Sequence, residues 1–187
     1  MTQYRSYEEA KHMTMPRLSQ FELATYKTSI TETLLLNSSA LSKLRKLYRV
    51  ADQVVSPIAQ LSVCSVGCSH CCKIPVPISR LEAEYIGRCS AYKPRIVSRG
   101  NVFAEIHQPP CAFLSKNSTC SVYDSRPFVC RTFFALDHPE YCKTPEKEHL
   151  IYGAGQALLK RIHGEILHLN GKHNQVADIR VFFPATT

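Results

Sequence analysis

The sequence contains no tryptophan, and it has only 7 glycines and 3 methionines among 187 residues. Leu, Ile and Val, together with 9 Tyr and 8 Phe, must therefore supply the apolar core. No stretch approaches the about 18 consecutive apolar residues that a transmembrane helix needs. Residues 1–16 also lack the apolar segment of a secretory signal peptide. These absences predict a cytoplasmic protein with no membrane segment.

Long runs of basic residues are absent as well. The 23 basic and 15 acidic residues give a formal charge of +8, but the basic residues are dispersed along the chain. This charge treats every cysteine as a neutral thiol, whereas metal-bound cysteines are thiolates. Two tetrathiolate zinc sites would reduce the charge to roughly +4. A nucleic-acid partner is thus only weakly supported, while a protein partner and the oligomeric state stay open.

The chain length and a hydrophobic content of 44% suit one compact domain. We assign residues 1–16 to a loose leader and residues 17–187 to a single domain. Within this domain, residues 62–142 form the cysteine-rich region. We predict a mainly α fold, in which helices pack around a loop-dominated metal core with a minor strand pair.

Nine cysteines in a predicted cytoplasmic chain need an explanation. A reducing compartment disfavours structural disulfides, and an odd number of cysteines cannot pair completely. Metal binding or thiol chemistry is therefore the predicted use of these residues.

Eight of the cysteines fall into two groups. The first group has the pattern Cys-x3-Cys-x2-Cys-Cys, which includes a Cys-x2-Cys knuckle that can point two thiolates at one ion. The second group is spaced more widely, as expected for loops that each bring one ligand to a shared centre. We expect one centre, or two, to join both groups. The candidate metal ligands are Cys64, Cys68, Cys71, Cys72, Cys111, Cys120, Cys130 and Cys142.

Other residues near the two groups are less clear candidates. Cys89 ends a predicted helix outside both groups, and we expect it to be a buried free thiol. His70 and His107 could bind metal through a ring nitrogen, but we favour solvated loop histidines.

Arg126 and Arg131 flank Cys130 and are the candidate cofactor-binding residues. A guanidinium close to anionic thiolates would balance their charge, donate hydrogen bonds to sulfur and lower the thiol pKa. Surface arginines in a turn are the competing interpretation.

The motifs CSVGCSHCC and PPCAFLSKNSTCSVYDSRPFVCR, followed by Cys142, resemble the YkgJ-like cysteine-cluster family of zinc- or iron-chelating domains. The similar region runs from about Cys64 to Cys142. The resemblance implies metal binding but no particular reaction. A related cysteine domain occurs in flagellin lysine methylases, which raises methyl transfer by analogy only. The sequence lacks the glycine-rich strand-to-helix turn of a methyltransferase domain.

The identity of the metal stays open between zinc and iron. The knuckle and the many tetrahedral ligand sets favour zinc. Clustered cysteines in excess of four favour an iron–sulfur cluster. The spacing of Cys64, Cys68 and Cys71 also matches radical S-adenosylmethionine enzymes, but the residues that follow lack the alternating strands and helices of their barrel.

Helix signals are clear in the first half of the chain. Apolar residues recur at helical spacing, and serines stand at the positions of N-caps. The predicted helices are residues 17–37, a segment capped by Ser39 or Ser42 with Pro57 near its end, and Arg80–Cys89 capped by Ser79.

A further helix is predicted in the last third of the chain. Thr144-Pro145-Glu146 combines an N-cap residue, a first-turn proline and an acid at the helix start. An apolar stripe follows to Leu169, and Asn170-Gly171 should end the helix. Strands are predicted at Asn101–Ile106 and Val176–Phe183. The histidines expected to face solvent on or near this helix are His149, His163, His168 and His173.

Three functions agree with this sequence. We favour a binding or regulatory module in which the metal is an element of the fold. The alternatives are an iron–sulfur enzyme or accessory factor for modifying protein or RNA, and a protein for metal storage or delivery.

Overall fold

The computed structural model describes residues 4–97, 109–143, 147–153, 155–171 and 175–184. Within these ranges, seven α-helices and two antiparallel strand pairs confirm the mainly α fold class. No helix in the described ranges is long and apolar enough to cross a membrane. The helices are α1 (Tyr7–Lys11), α2 (Gln20–Leu35), α3 (Ala40–Leu61), α4 (Arg80–Cys89), α5 (Phe128–Thr132), α6 (Ala157–Leu169) and α7 (Ile179–Phe182). The strands are β1 (Pro77–Ser79), β2 (Phe134–Ala135), β3 (Ile151–Tyr152) and β4 (Val176–Asp178).

The starts predicted for the second and third helices are confirmed at Ser39 and Ser79, whereas α2 begins at Gln20 instead of residue 17. Ser19 and Glu22 form a capping box at the start of α2, and Ser79 and Glu82 form another at the start of α4. In each box the serine side chain accepts from the third helical N–H, and the glutamate accepts from the cap N–H. Ser39 caps α3 in the same way, without the reciprocal glutamate.

Helix α3 is the central element of the larger apolar core. It packs against α2, α5 and α6, and its buried side chains form one face. Pro57 lies inside the helix, which continues to Leu61. The buried residues of this face are Leu44, Leu47, Tyr48, Val50, Ala51, Val54, Val55 and Ile58.

The carboxylate of Glu82 connects three of these helices. It is 2% exposed, and it accepts hydrogen bonds from the Tyr48 hydroxyl at 3.0 Å and from the Phe128 backbone N–H at 2.9 Å. The second bond satisfies a free N–H at the start of α5. Since α5 carries Cys130, this contact fixes one candidate ligand relative to α3 and α4.

The predicted start of the last long helix was wrong. Helix α6 begins only at Ala157, and Thr144-Pro145-Glu146 lies outside the described residues. Two tertiary contacts explain the late start. The buried Asp137 carboxylate accepts from the Leu150 N–H at 2.8 Å, and β3 pairs with β2. Both contacts use backbone groups that a helix would need. Leu158, Ile162 and Ile166 of the predicted apolar stripe are nevertheless buried in α6, which ends at Leu169 as expected.

The predicted terminal strand was too long. Only Val176–Asp178 is extended, paired antiparallel with β1, and α7 follows directly. The Asp178 side chain accepts from the Arg180 N–H at 2.8 Å and thereby caps α7. The strand predicted at Asn101–Ile106 lies outside the described residues.

A second, smaller apolar cluster lies beneath the cysteines. It combines β1, β4 and α7 with the loop that follows residue 109, and three cysteines pack against it. The loop-dominated region therefore has some apolar support of its own. The cluster includes Val76, Ile78, Phe113, Val122, Phe182 and Phe183, with Cys111, Cys120 and Cys130 at its edge.

Part of the predicted leader contacts the rest of the chain. The Arg5 guanidinium donates to the carbonyls of Leu61 at 3.0 Å and Leu136 at 3.1 Å. Its backbone N–H donates to the Asp137 carbonyl at 3.0 Å, and Ala10 of α1 is buried. Residues 5–10 thus cover the end of α3 and the segment that follows β2.

Candidate metal centre

Six of the eight candidate ligands line one cavity of about 370 Å³. They come from four separate parts of the chain: the turn between α3 and β1, two positions in the loop after residue 109, and α5. All six are half-buried free thiols. The cysteines that line the cavity are Cys68, Cys71, Cys72, Cys111, Cys120 and Cys130.

Tight turns place the first three cysteines. The Cys68 N–H donates to the Ser65 carbonyl and the Cys72 N–H to the Ser69 carbonyl, both at 3.0 Å. Gly67 has a φ of 91°, a conformation that residues with a side chain rarely adopt. Residues 65–72 therefore fold into two tight turns, from which Cys68 and Cys71 both reach the cavity.

A second set of contacts brings the later loop against this turn. The Cys111 N–H donates to the Cys72 carbonyl at 2.8 Å, so these two cysteines are neighbours in space although they are far apart in the sequence. Hydrogen bonds between Ser115 and Thr119 then close the loop that returns to Cys120.

A buried arginine clamps both segments from below. The Arg180 guanidinium pairs with Asp178 at 3.0 Å, and both side chains are at least 90% buried. It also donates to the carbonyls of Cys72 at 3.1 Å, Ile74 at 3.0 Å and Pro109 at 2.6 Å. Arg180 therefore fixes the backbone next to two candidate ligands. Sequence reasoning missed it because these partners lie more than 70 residues away along the chain.

Burial is the main influence on the cavity thiols. It raises the pKa of Cys111, Cys120 and Cys130, and nearby cysteines raise the pKa of Cys111 and Cys130 further. The adjacent pair differs: a hydrogen bond between the two thiols lowers the pKa of Cys71 to about 7 and raises the pKa of Cys72. A bound cation would reverse the cost of ionising these thiols, because thiolates rather than thiols bind metal.

Arg126 faces the cavity thiols. Its guanidinium lines the cavity and lies 3.8 Å from the centre of the Tyr123 ring. Its positive charge opposes the effect of burial and lowers the pKa of Cys120 and Cys130. Its Nε is buried without a hydrogen-bond partner among the described residues. This placement agrees with the charge-balancing role considered from the sequence.

Arg131 does not line the cavity. Its guanidinium pairs with Asp52 at 2.8 Å, contacts the Asp124 carbonyl oxygen and lies 4.2 Å from the centre of the Tyr48 ring. These contacts join α5 to α3. The structure thus places Arg131 in the packing between helices and away from the thiols. The sequence had instead suggested that Arg131 binds a cofactor.

Cys64 and Cys142 form a second group beside the cavity. The Cys64 sulfur accepts from the Ala135 N–H at 3.4 Å, and the Cys142 sulfur lies 3.0 Å from Nε2 of His149. Nδ1 of His149 lies 2.7 Å from the Asp137 carboxylate. The expectation that His149 faces solvent was therefore wrong, since its side chain is only 9% exposed. The seven-residue step from Cys142 to His149 was the available signal.

Several of the remaining histidines and cysteines have surroundings that differ from those predicted from the sequence. His70 is largely buried, with Nε2 3.8 Å from Glu140 and Nδ1 without a partner among the described residues, so it is not a solvated loop residue. Cys89 lies outside both groups as expected, but it is exposed rather than buried. His163 stacks on Phe128 instead of facing solvent. His107 lies outside the described residues.

The donor set fits a soft cation. Thiolates select zinc, copper(I) or iron–sulfur clusters, and all eight candidates are unpaired thiols. In the described ranges, no three cysteine, histidine or acidic side chains already converge as a metal site. The thiols surround a shared space instead, so a bound metal would require side-chain rotation toward it.

The fold and the site together define a small helical protein built around a cysteine cluster. Residues 63–149 match the model of a family described as "CxxCxxCC: Putative zinc- or iron-chelating domain". The match covers slightly less than half of the chain and confirms the resemblance seen in the motifs. No curated protein and no solved structure matches the chain.

Proposed function

We propose that the chain binds zinc or iron through its cysteine cluster, and that the metal stabilises a binding or regulatory module. One observation carries this proposal: six thiols from four separate parts of the chain line one cavity. Metal coordination across such a cavity would cross-link turns that contain little regular structure.

The ionisation of the thiols supports the same proposal. Burial keeps the pKa of Cys111, Cys120 and Cys130 above the ordinary value, so these thiols stay protonated at neutral pH without a cation. A metal ion displaces these protons and forms metal–sulfur bonds that connect the cysteines to one another. Its binding free energy therefore adds to the stability of the fold.

The test uses the full chain purified without oxygen. Elemental analysis and an ultraviolet–visible spectrum identify the metal, and thermal unfolding is followed with and without a chelator. We expect stoichiometric metal and a clearly lower Tm after chelation. A brown protein with iron and sulfide would exclude zinc as the cavity metal. A metal-free protein with the same Tm in chelator would overturn the proposal.

An iron–sulfur enzyme or accessory factor is the second candidate. It is favoured by the number of cavity thiols, which exceeds the four of a mononuclear zinc site. The cavity volume also falls in the range of small-molecule sites. An added substrate that changes the absorption or paramagnetic spectrum of the cluster would support this candidate over a purely structural metal.

A cytoplasmic location is also part of this proposal. Nine free thiols, all of them within residues 62–142, are kept available for metal only under reducing conditions. Expression in an oxidising compartment should therefore yield mixed disulfides and less bound metal.

A further inference from the structure

Asp137, Cys142 and His149 form a hydrogen-bonded chain beside the cavity. The imidazole stands between the two partners, with Nε2 3.0 Å from the Cys142 sulfur and Nδ1 2.7 Å from Asp137. Asp137 is fully buried, and it also accepts from the N–H groups of His138 at 2.7 Å and Leu150 at 2.8 Å. The carboxylate is thus fixed, and the imidazole is fixed by it.

This arrangement determines which ring nitrogen can bind an ion. A carboxylate at Nδ1 retains the proton there, so the lone pair of a neutral imidazole lies on Nε2. Histidines that bind metal commonly donate their other N–H to a carboxylate in this manner. Nε2 of His149 points at Cys142, which is one of the candidate ligands.

Two other parts of the cysteine-rich region approach Cys142. The turn that carries Cys68 lies against the segment that carries Cys142, since Nε2 of His70 is 3.8 Å from the Glu140 carboxylate. Cys64 is held next to β2 by the Ala135 N–H. Three parts of the chain therefore approach one another near His149, and binding of an ion would require the cysteine side chains to rotate toward it, because no three donors converge among the described residues.

The number of thiols leaves a place for a nitrogen ligand. Five cysteines remain in the cavity if Cys68 turns toward the second group: Cys71, Cys72, Cys111, Cys120 and Cys130. The second group then has three thiols, Cys64, Cys68 and Cys142. A tetrahedral site needs four donors, and Cys3His is a common structural zinc set. His149 supplies the fourth.

We propose that His149 binds a second metal ion together with Cys64, Cys68 and Cys142, and that Asp137 orients the imidazole. The inference rests on the proposed function, since it assumes that the cysteine cluster binds metal. It adds a nitrogen ligand and divides the donors between two centres of different composition.

A catalytic thiol is the competing explanation, because Cys–His–Asp chains also activate nucleophiles. A nucleophilic cysteine requires a lowered pKa, usually from positive charge nearby. The cation next to Cys142 in the sequence, Lys143, is instead paired with Glu140. A thiol in a cysteine-rich region, beside a histidine that a carboxylate orients, suits a metal ion better than a nucleophile.

The first test needs no substitution. The full chain, labelled with ¹⁵N, is loaded with ¹¹³Cd and studied by NMR. We expect two classes of cadmium resonance, one of them with a one-bond coupling to an imidazole nitrogen. Cadmium bound with sulfur ligands alone would overturn the inference while leaving the proposed function intact. No bound cadmium at all would instead contradict the proposed function.

Substitutions then assign the nitrogen. His149→Ala should lose about one metal ion per chain and the imidazole coupling, whereas His149→Cys should regain the ion with sulfur ligands only. Asp137→Asn should keep the ion but weaken its affinity about 10- to 100-fold. His168→Ala is the matched control, because His168 is exposed on α6 and should change nothing. Full metal content in His149→Ala, or rapid alkylation of Cys142 in the loaded protein, would overturn the inference.

Discussion

The helical core, formed by α2, α3 and α6, and the cysteine-rich region, residues 62–142, are stabilised in different ways. In the helical core, Leu44, Leu47, Ile162 and Ile166 are completely buried. The cysteine-rich region has mostly short elements, and its turns are held by buried hydrogen bonds, such as those from Arg180 to the carbonyls of Cys72 and Ile74.

This difference indicates where a ligand can act on stability. Apolar burial contributes whether or not a metal is bound, since it depends only on surface removed from water. The thiols lose solvation on burial and gain strong partners only when a cation binds. We therefore expect stability to depend on metal in the cysteine-rich region and not in the helical core.

The largest effect should come from the cavity ligands. Cys71→Ser and Cys130→Ser should each lower the metal content and the Tm together, by on the order of 15 °C, or about 5 kcal/mol. Elemental analysis and calorimetry on the same samples would measure both quantities. Cys89→Ser is the control, because Cys89 is exposed and outside both groups. Unchanged metal stoichiometry in both variants would refute the ligand assignment.

The arginine clamp should have the next largest effect. Arg180→Met leaves the buried Asp178 carboxylate without its partner, which costs about 3–5 kcal/mol. Because Arg180 also holds the carbonyls of Cys72 and Pro109, metal affinity should fall with stability. Urea unfolding and a competitive chelator titration would measure the two changes, with Arg88→Met on the exposed face of α4 as control. Unchanged affinity would show that the clamp is independent of the metal centre.

A cavity created in the helical core should lower the stability of the fold independently of the metal. Leu47→Ala removes a fully buried side chain from α3 and should cost about 3 kcal/mol. The metal content should stay that of the unchanged chain, and chelation should lower Tm by the same amount as before. Leu35→Ala, at an exposed position on α2, is the control. A larger chelator effect in Leu47→Ala would mean that the two regions are coupled.

Local signals were sufficient to predict α2, α3 and α4, because each cap and each apolar stripe lies within the helix that it defines. Spacing also selected the eight candidate thiols, and six of them line one cavity. The start of α6 could not be predicted, since it depends on Asp137 and on pairing with β2.

The parts of the site that could not be predicted from the sequence were missed for one physical reason. Arg180 acts on carbonyls more than 100 residues earlier, and no local pattern marks such a contact. His149 was assigned to the exposed side of a helix that begins eight residues later. Arg131 flanks a cysteine in sequence, but the turn of α5 directs it to Asp52. Neighbours along the chain therefore did not predict neighbours in space.

The smallest predicted effect is at an exposed cap of the helical core. Ser19→Ala removes the side-chain half of the capping box of α2 and should lower Tm by about 2–4 °C without changing the metal content. The hydrogen bond from the Ser19 hydroxyl lowers the pKa of Glu22, so the contribution of this bond is present above the ordinary carboxyl pKa and is lost as the pH falls through the lowered one. The Tm difference should therefore become smaller in acid, where the bond from the Glu22 N–H to the Ser19 hydroxyl remains. Thr28→Ala, exposed within α2, is the control. A loss of metal in Ser19→Ala would contradict the separation of the two regions, since α2 carries none of the candidate ligands.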